Sequence, residues 1–231
     1  MKPQIITPDF GQHNRHFKGS SYKDQSTVII CPTRGSIASR VVSSWFGLAK
    51  PMNQWCFGPV FFQGFEVGDA YEQAITWILG VPDLNKVKYM LTIEEDNILP
   101  GDGLLRLLES VENYAAVGGL YFTKGVEGRP MCYGPPNVVP RNFAPFMPAS
   151  DQVQPCNGLG MGMTLFKLSI FRSGKIPRPF FKSQQEHTAK GFQCFSQDLF
   201  FFNQACDAGY KFACDARVKV GHYSVADDTV W

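Results

Sequence analysis

The feature that most restricts this chain is an alternation that runs through its first half. Apolar, largely β-branched or aromatic runs occupy residues 26–31 (STVIIC), 55–63 (WCFGPVFFQ), 87–93 (VKYMLTI) and 114–122 (YAAVGGLYF). They have the length and composition of strands buried on both faces. Between them, residues 36–50, 68–80 and 100–114 repeat apolar side chains at helical spacing. These are Ile37, Val41, Trp45 and Leu48, then Ala70, Ala74, Trp77 and Ile78, then Leu104, Leu107, Leu108 and Val111. Ser36 is the expected cap of the first helix. Strand and helix in turn predict an α/β fold with a mostly parallel central sheet covered by helices on both faces. Ligands bind such sheets beyond the carboxyl ends of the strands, near a switch in strand order. Two polar segments, PTRG at 32–35 and EEDN at 94–97, fall at such ends.

The remainder is less regular. Residues 1–25 are polar and unpatterned, and His13, Arg15, His16, Lys18 and Lys23 give them a small basic cluster. We expect a solvated leader or arm there, followed by a single domain over 26–231. Residues 123–155 form a Pro-rich loop carrying Pro130, Pro135, Pro136, Pro140, Pro145, Pro148 and Pro155. Loops of that length inside a compact domain are usually functional or mobile. Beyond it come NGLGMGMTLF, a helix-like LSIFRSG, a second loop through 175–193, a helix at 196–209 and a last strand, KFACDARVKVGH. Gly158, Gly160 and Gly162 do not make a dinucleotide fingerprint, because the third spacing is wrong and no strand–turn–helix unit follows. Glycines in such a run let the backbone approach a ligand or a neighbouring strand.

Composition narrows the function classes. Of 231 residues, 44% are apolar and 18% charged, the balance of a globular domain. The 20 Phe are expected mainly in its core. A net charge of +2 provides no broad basic field for nucleic acid or an anionic membrane. Seven cysteines, an odd number with no C-x-x-C pair, argue against a disulfide scaffold or structural zinc and for a reducing compartment. No run approaches about 18 uninterrupted apolar residues, so no stable membrane insertion is expected. The N-terminal MKPQIITPDFGQ lacks a signal-type apolar run, which points to the cytoplasm.

Three groups carry chemistry. Glu94, Glu95 and Asp96 are adjacent carboxylates at a strand end, where they repel one another unless a cation sits among them. Hard oxygen donors suit Mg²⁺ or Mn²⁺, which in turn bind phosphate. An isolated acidic triplet is usually a solvated turn; the strand before it and Pro100 behind it favour the cation. Gln197 and Asp198 open a Phe-rich helix, where a carboxylate could do no more than complement the helix dipole. His222 follows Gly221 at the end of the last strand, a place where a lone histidine is more often structural than a ligand.

Taken in order, PTRG after the first strand, EEDN-ILP after a later one, a Gly-rich strand, Ser-Gln-Asp on a helix and Gly-His resemble the GT-A (Rossmann-like) glycosyltransferases, in particular their family-2-like group. The resemblance spans about residues 26–224. It implies that Pro32, Thr33 and Arg34 contact the nucleotide base. It implies that Glu94, Glu95 and Asp96 stand for the family's D-x-D motif. Asp96 would then be the metal ligand, and Glu94 would face the ribose or the metal's waters. His222 matches a late histidine that completes metal coordination. Gln197-Asp198 matches the family's Glu-Asp pair, and Asp198 would be the catalytic base. Two positions depart from the pattern: Glu94 is one methylene longer than the usual Asp, and Ala70-Tyr71-Glu72 stands where Ala-Arg-Asn is common.

The expected activity is therefore metal-dependent transfer of a sugar from a nucleoside-diphosphate sugar, UDP-linked for preference, to an acceptor hydroxyl, with inversion. Mn²⁺ or Mg²⁺ would neutralise the leaving diphosphate, and Asp198 would take the acceptor's proton. A helix amino terminus would tend to keep Asp198 ionised. A retaining transferase, a nucleotidyltransferase and a non-catalytic nucleotide-sugar-binding module are the alternatives. The acceptor could be a glycan, a lipid-linked sugar, a protein or a modified DNA base; the small size and lack of a membrane segment argue mildly against the lipid.

Overall fold

The structure is a computed structural model and describes residues 4–6, 23–188 and 191–231. Most of the expected leader, including its basic cluster up to Lys18, lies outside the described residues.

The strands are β1 (Gln4–Ile6), β2 (Thr27–Thr33), β3 (Cys56–Gln63), β4 (Tyr89–Ile93), β5 (Asn97–Ile98), β6 (Ala116–Leu120), β7 (Cys132–Tyr133), β8 (Val153–Cys156), β9 (Gly158–Leu159), β10 (Met163–Lys167), β11 (Gln184–Thr188), β12 (Gly191–Phe195), β13 (Phe212–Lys219), β14 (Gly221–Ser224) and β15 (Thr229–Val230). The helices are α1 (Ser39–Phe46), α2 (Val67–Gly80), α3 (Gly103–Ser110), the single turn α4 (Ser169–Arg172) and α5 (Gln197–Asp207). Eight strands form the central sheet in the order β1-β3-β2-β4-β10-β6-β13-β8. β3, β2 and β4 are parallel, as are β6 and β13, while β10 runs antiparallel between β4 and β6. β1 and β8 add antiparallel edges.

Because strand side chains alternate between faces, the sheet builds two cores. Val28, Ile30, Met90, Phe166, Phe212 and Cys214 point to one core, where Ala70, Tyr71, Ala74, Ile75 and Ile78 of α2 and Phe201, Phe202 and Ala205 of α5 cover them. Ile29, Cys31, Leu91, Ile93, Leu165 and Ala213 point to the other, under Leu104, Leu107 and Leu108 of α3, with Trp45 of α1 packed against it. The phenylalanines concentrate in the first core. Phe181 stacks on Phe201 at 4.7 Å and Phe202 meets Phe212 edge-on at 4.8 Å.

Three local expectations are corrected. β2 continues through Pro32 and Thr33, which pair with Phe62 and Gln63 of β3. Proline is tolerated there because pairing with β4 stops at Ile30–Thr92, so no donor is needed on that side. α1 begins at Ser39 with Ala38 at its cap and no side-chain capping bond, so Ser36 does not cap it. α2 instead gains a strong cap: Glu66 accepts from the backbone N–H groups of Gly68 and Asp69. The expected loop over 175–193 contains β11, which pairs with β12 as a hairpin.

The Pro-rich segment is tied down by backbone bonds. The Phe146 N–H donates to the Cys132 carbonyl and the Gly134 N–H to Ala144, and β7 pairs with β9. The Gly-rich run does what small residues permit. A Cβ on Gly160 would lie 2.1 Å from the Tyr121 hydroxyl, and one on Gly162 would lie 2.5 Å from Asn97 Oδ1.

Candidate active site

β2 and β4 are parallel neighbours, so their carboxyl ends lie side by side. The chain leaves β2 for β3 on one side, and returns through α2 to β4 on the other. That divergence opens the crevice at the strand ends. A cavity of about 480 Å³ occupies it, lined by Pro32, Thr33 and Arg34 from the end of β2, Phe65 and Val67 from the turn into α2, Glu94, Glu95 and Asp96 after β4, Gln197 at the start of α5, and His222 of β14. Residues 190 positions apart in the chain thus share one wall. β14 reaches the cavity because it pairs with β5, setting His222 opposite Asn97. The Tyr223 N–H also donates to the Asp96 carbonyl at 2.7 Å.

The three adjacent carboxylates have three different settings. Glu95 is saturated by the β2 end. It accepts from the Thr33 hydroxyl at 2.7 Å, the Arg34 N–H at 2.8 Å and Arg34 Nε at 2.5 Å. The Thr33 hydroxyl in turn accepts from the Gly35 N–H. Glu95 therefore shapes the PTRG turn, with its charge committed to Arg34.

Glu94 accepts one hydrogen bond, from the buried Tyr71 hydroxyl at 3.2 Å. Burial, followed by repulsion from Asp96 and Asp198, pushes its pKa up to about 7. Asp96 goes the other way. Burial would raise it, but hydrogen bonds from His222 and then Lys124 outweigh that and bring it to about 2. Asp96 Oδ2 lies 3.3 Å from His222 Nε2 and 2.5 Å from Lys124 Nζ.

His222 is held in one orientation. Its Nδ1 is 2.8 Å from the Phe122 carbonyl oxygen, which can only accept, so Nδ1 carries a proton. Tyr121 packs edge-on against the ring at 5.7 Å. Nε2 is then aimed at Asp96, either with a second proton or with a lone pair available to a cation. The donor set suits Mn²⁺ or Mg²⁺: one carboxylate oxygen and one imidazole nitrogen. An ion bound to both at about 2.0–2.2 Å would hold them about 3 Å apart, close to the separation found. Among the described residues no group of three or more His, Cys, Asp or Glu side chains forms a ready-made cage. Asp96 and His222 make a two-donor arrangement that could hold such an ion, and Glu94, hydrogen-bonded to Tyr71, lines the same cavity.

Asp198 does not line the cavity. Only 5% of it is exposed, and its Oδ1 accepts from the Ser196 hydroxyl and the Leu199 N–H. Burial raises its pKa against these bonds. The expectation that the helix end keeps it readily ionised is therefore corrected: desolvation outweighs the dipole. Gln197 is the α5 residue that faces the cavity.

Sequence reasoning missed Phe65, Val67 and Lys124. The first two sit just past β3, the third parallel strand end, and the rule that pointed to PTRG would have found them. Lys124 follows β6 in a segment marked only by its prolines.

The sheet order, the two helical layers and the crevice at the β2 and β4 ends define an α/β fold of the GT-A type. Among solved structures, A197 from STIV matches with a TM-score of 0.59 at 18% identity, covering 89% of this chain and 92% of that one. GalNAc-T7, solved with UDP, GalNAc and Mn²⁺, matches with a TM-score of 0.55 at 7% identity over 86% of this chain and 44% of its own. The chain thus spans less than half the length of GalNAc-T7. No family model matches the sequence, and no curated protein does so significantly. At such identities the likeness is one of fold.

Proposed function

We propose that the protein is a glycosyltransferase that moves a sugar from a nucleoside-diphosphate sugar, UDP-linked for preference, to an acceptor hydroxyl, using Mn²⁺ or Mg²⁺ held by Asp96 and His222. The observation that carries this reading is the paired Asp96 carboxylate and oriented His222 imidazole in a cavity at the carboxyl end of β2 and β4. The same fold in GalNAc-T7, solved with UDP, GalNAc and Mn²⁺, supports it.

When bound, the cation supplies positive charge against the diphosphate as it leaves. Asp96 and His222 hold it, and Phe122 and Tyr121 keep the imidazole aimed. Pro32, Phe65 and Val67 offer apolar surface for the flat face of a nucleobase. Glu95 keeps Thr33 and Arg34 in the shape that borders that surface. For the acceptor's proton we propose Glu94, which lines the cavity and whose raised proton affinity suits a base near neutral pH, with Asp198, the base the resemblance implies but buried outside the cavity lining, as the second candidate.

The test is to incubate the full chain with a panel of UDP-sugars, with Mn²⁺ and with excess EDTA. UDP release that requires Mn²⁺ is expected. Pyrophosphate release would mean nucleotidyl transfer, and no turnover across the panel would mean a binding module. Asp198→Asn and Glu94→Gln then assign the base: the correct one keeps UDP affinity and loses transfer by about 10²–10⁴-fold. Retention of anomeric configuration, read by NMR, would reject a base role for either.

A further inference from the structure

A lysine outside the expected site residues sits on the cation seat. Lys124 Nζ is 2.5 Å from Asp96 Oδ2, the same oxygen that faces His222 Nε2 at 3.3 Å. A divalent ion bound by that oxygen would lie within about 2.2 Å of it. Ammonium and ion would share that oxygen, and like charges so close to one another repel. Occupancy by one cation therefore disfavours the other.

The tether of Lys124 permits such an exchange. The loop that carries it is closed at its root, where the Thr123 N–H donates to the Arg129 carbonyl and the Arg129 N–H to Thr123 Oγ1. Phe122 and Pro130 form a bridge just below. Beyond that root the loop is largely exposed. Gly125 has a φ of 115° and open space around its Cα, and Val126 is 99% exposed. The Lys124–Asp96 pair is itself partly open to water, at 36% and 24% side-chain exposure. Solvated pairs of this kind are weak. Arg34, the other cation at the cavity, is already bound to Glu95 through its backbone and side chain.

We propose that Lys124 is a latch on the cation seat: with no donor bound it neutralises Asp96, and a divalent cation arriving with a nucleoside diphosphate transfers it from the carboxylate to the phosphates. This rests on the glycosyltransferase reading above. The latch makes the cation a poor ligand alone, because binding must break the ion pair with no new partner for the ammonium. The diphosphate supplies that partner. Cation and nucleotide therefore strengthen one another, reciprocally, as linkage requires.

The experiment measures Mn²⁺ binding to the full chain from the electron paramagnetic resonance signal of free Mn²⁺, with and without UDP and against protein-free Mn²⁺–UDP solutions, and UDP binding without Mn²⁺ by calorimetry, in the wild type, Lys124→Met and Lys124→Arg. Methionine keeps the length of the side chain and removes its charge; arginine keeps the charge. Wild type should bind Mn²⁺ alone weakly, and about tenfold or more tightly with UDP. Lys124→Met should bind Mn²⁺ alone about tenfold more tightly than wild type, with the enhancement by UDP cut at least about threefold. Lys124→Arg should behave like wild type. If wild type binds Mn²⁺ with UDP but Lys124→Met leaves the affinity for Mn²⁺ alone unchanged or weaker, the latch is wrong and the proposed function stands. If UDP binds wild type equally well without Mn²⁺ and Lys124→Met abolishes it, the lysine replaces the metal and the latch is again wrong. If no variant binds Mn²⁺ with or without UDP, both readings fall.

Discussion

Two acidic regions of this molecule are built on opposite principles. Asp215, on β13, is fully buried, yet it accepts four hydrogen bonds: from the Arg217 backbone N–H, Nε and Nη2, and from the Ser110 hydroxyl at 2.6 Å. Burial alone would raise its pKa, but the bonds from Arg217 and Ser110 outweigh that and lower it. At the end of β4, Glu94, Asp96 and the nearby Asp198 have only one or two donors each. Glu94 has one hydroxyl, and its pKa rises to about 7 under burial and repulsion. Asp215 is a structural carboxylate, satisfied by its own chain; Glu94 is left short of positive charge that something else must supply.

The comparison breaks most sharply at Asp96. Asp96→Asn should lower Mn²⁺-dependent transfer on the order of 10²–10³-fold, with Mn²⁺ affinity lost in parallel. Its chemical stability in urea should move by no more than about 1 kcal/mol, because the pair with Lys124 is partly solvated. Full activity of the variant, or equal activity of wild type in excess EDTA, would remove the cation from the site.

Asp215→Asn should do the reverse. It strands the Arg217 guanidinium beside a neutral partner and should cost about 3 kcal/mol at pH 7, a fall in Tm on the order of 10 °C for a chain this size. Mn²⁺ affinity of the folded variant should be unchanged. The pH dependence has a fixed sign. Asp215 is lowered in the fold, so its contribution is present above the unfolded value near 3.8 and is lost as pH falls through the folded one. The stability gap between wild type and variant should close in acid.

Glu94→Gln sharpens the contrast, because its sign is opposite. Glu94 is raised in the fold, so its contribution is fully present below about pH 4.5 and lost as pH rises through about 7. The metal-free variant should be more stable than wild type at pH 8, by about 1–3 kcal/mol, and indistinguishable from it near pH 4. A variant less stable than wild type at pH 8 would mean that the Tyr71 hydrogen bond outweighs the repulsion.

The smallest effect belongs to Glu95. Glu95→Gln keeps the shape but weakens the bonds to Thr33 and Arg34. It should raise the Kd for UDP a few-fold, about the worth of one hydrogen bond, with Mn²⁺ binding alone unaffected. A loss as large as that of Asp96→Asn would make Glu95 a direct ligand.

Much of this is legible in the amino-acid sequence. Strand–helix periodicity located β2, β3, β4 and β6 to within two residues at most ends, and with them α2. It also set PTRG and EEDN at one edge, and the Gly-rich run at a close approach. It failed where the signal was weak or the context remote. β11 and β12 have too little alternation to stand out from a loop, and α1 lost its expected cap at Ser36. Gln197 and Asp198 look equivalent in the sequence, yet helix phase sends the first to the cavity and the second inside.

The alternation, and hence the sheet, its two cores and the edge at which polar segments gather, is written in the chain's local order. Those follow from side-chain spacing, which is a property of neighbouring residues. The state of each carboxylate is not written in that local order. Glu95 is consumed by residues 61 and 62 positions away, Asp96 meets a lysine 28 positions on, and Asp215 finds a serine 105 positions back. A charge is settled by the donors within a few ångströms and the water it has lost. Both are fixed only when distant strands close on one another.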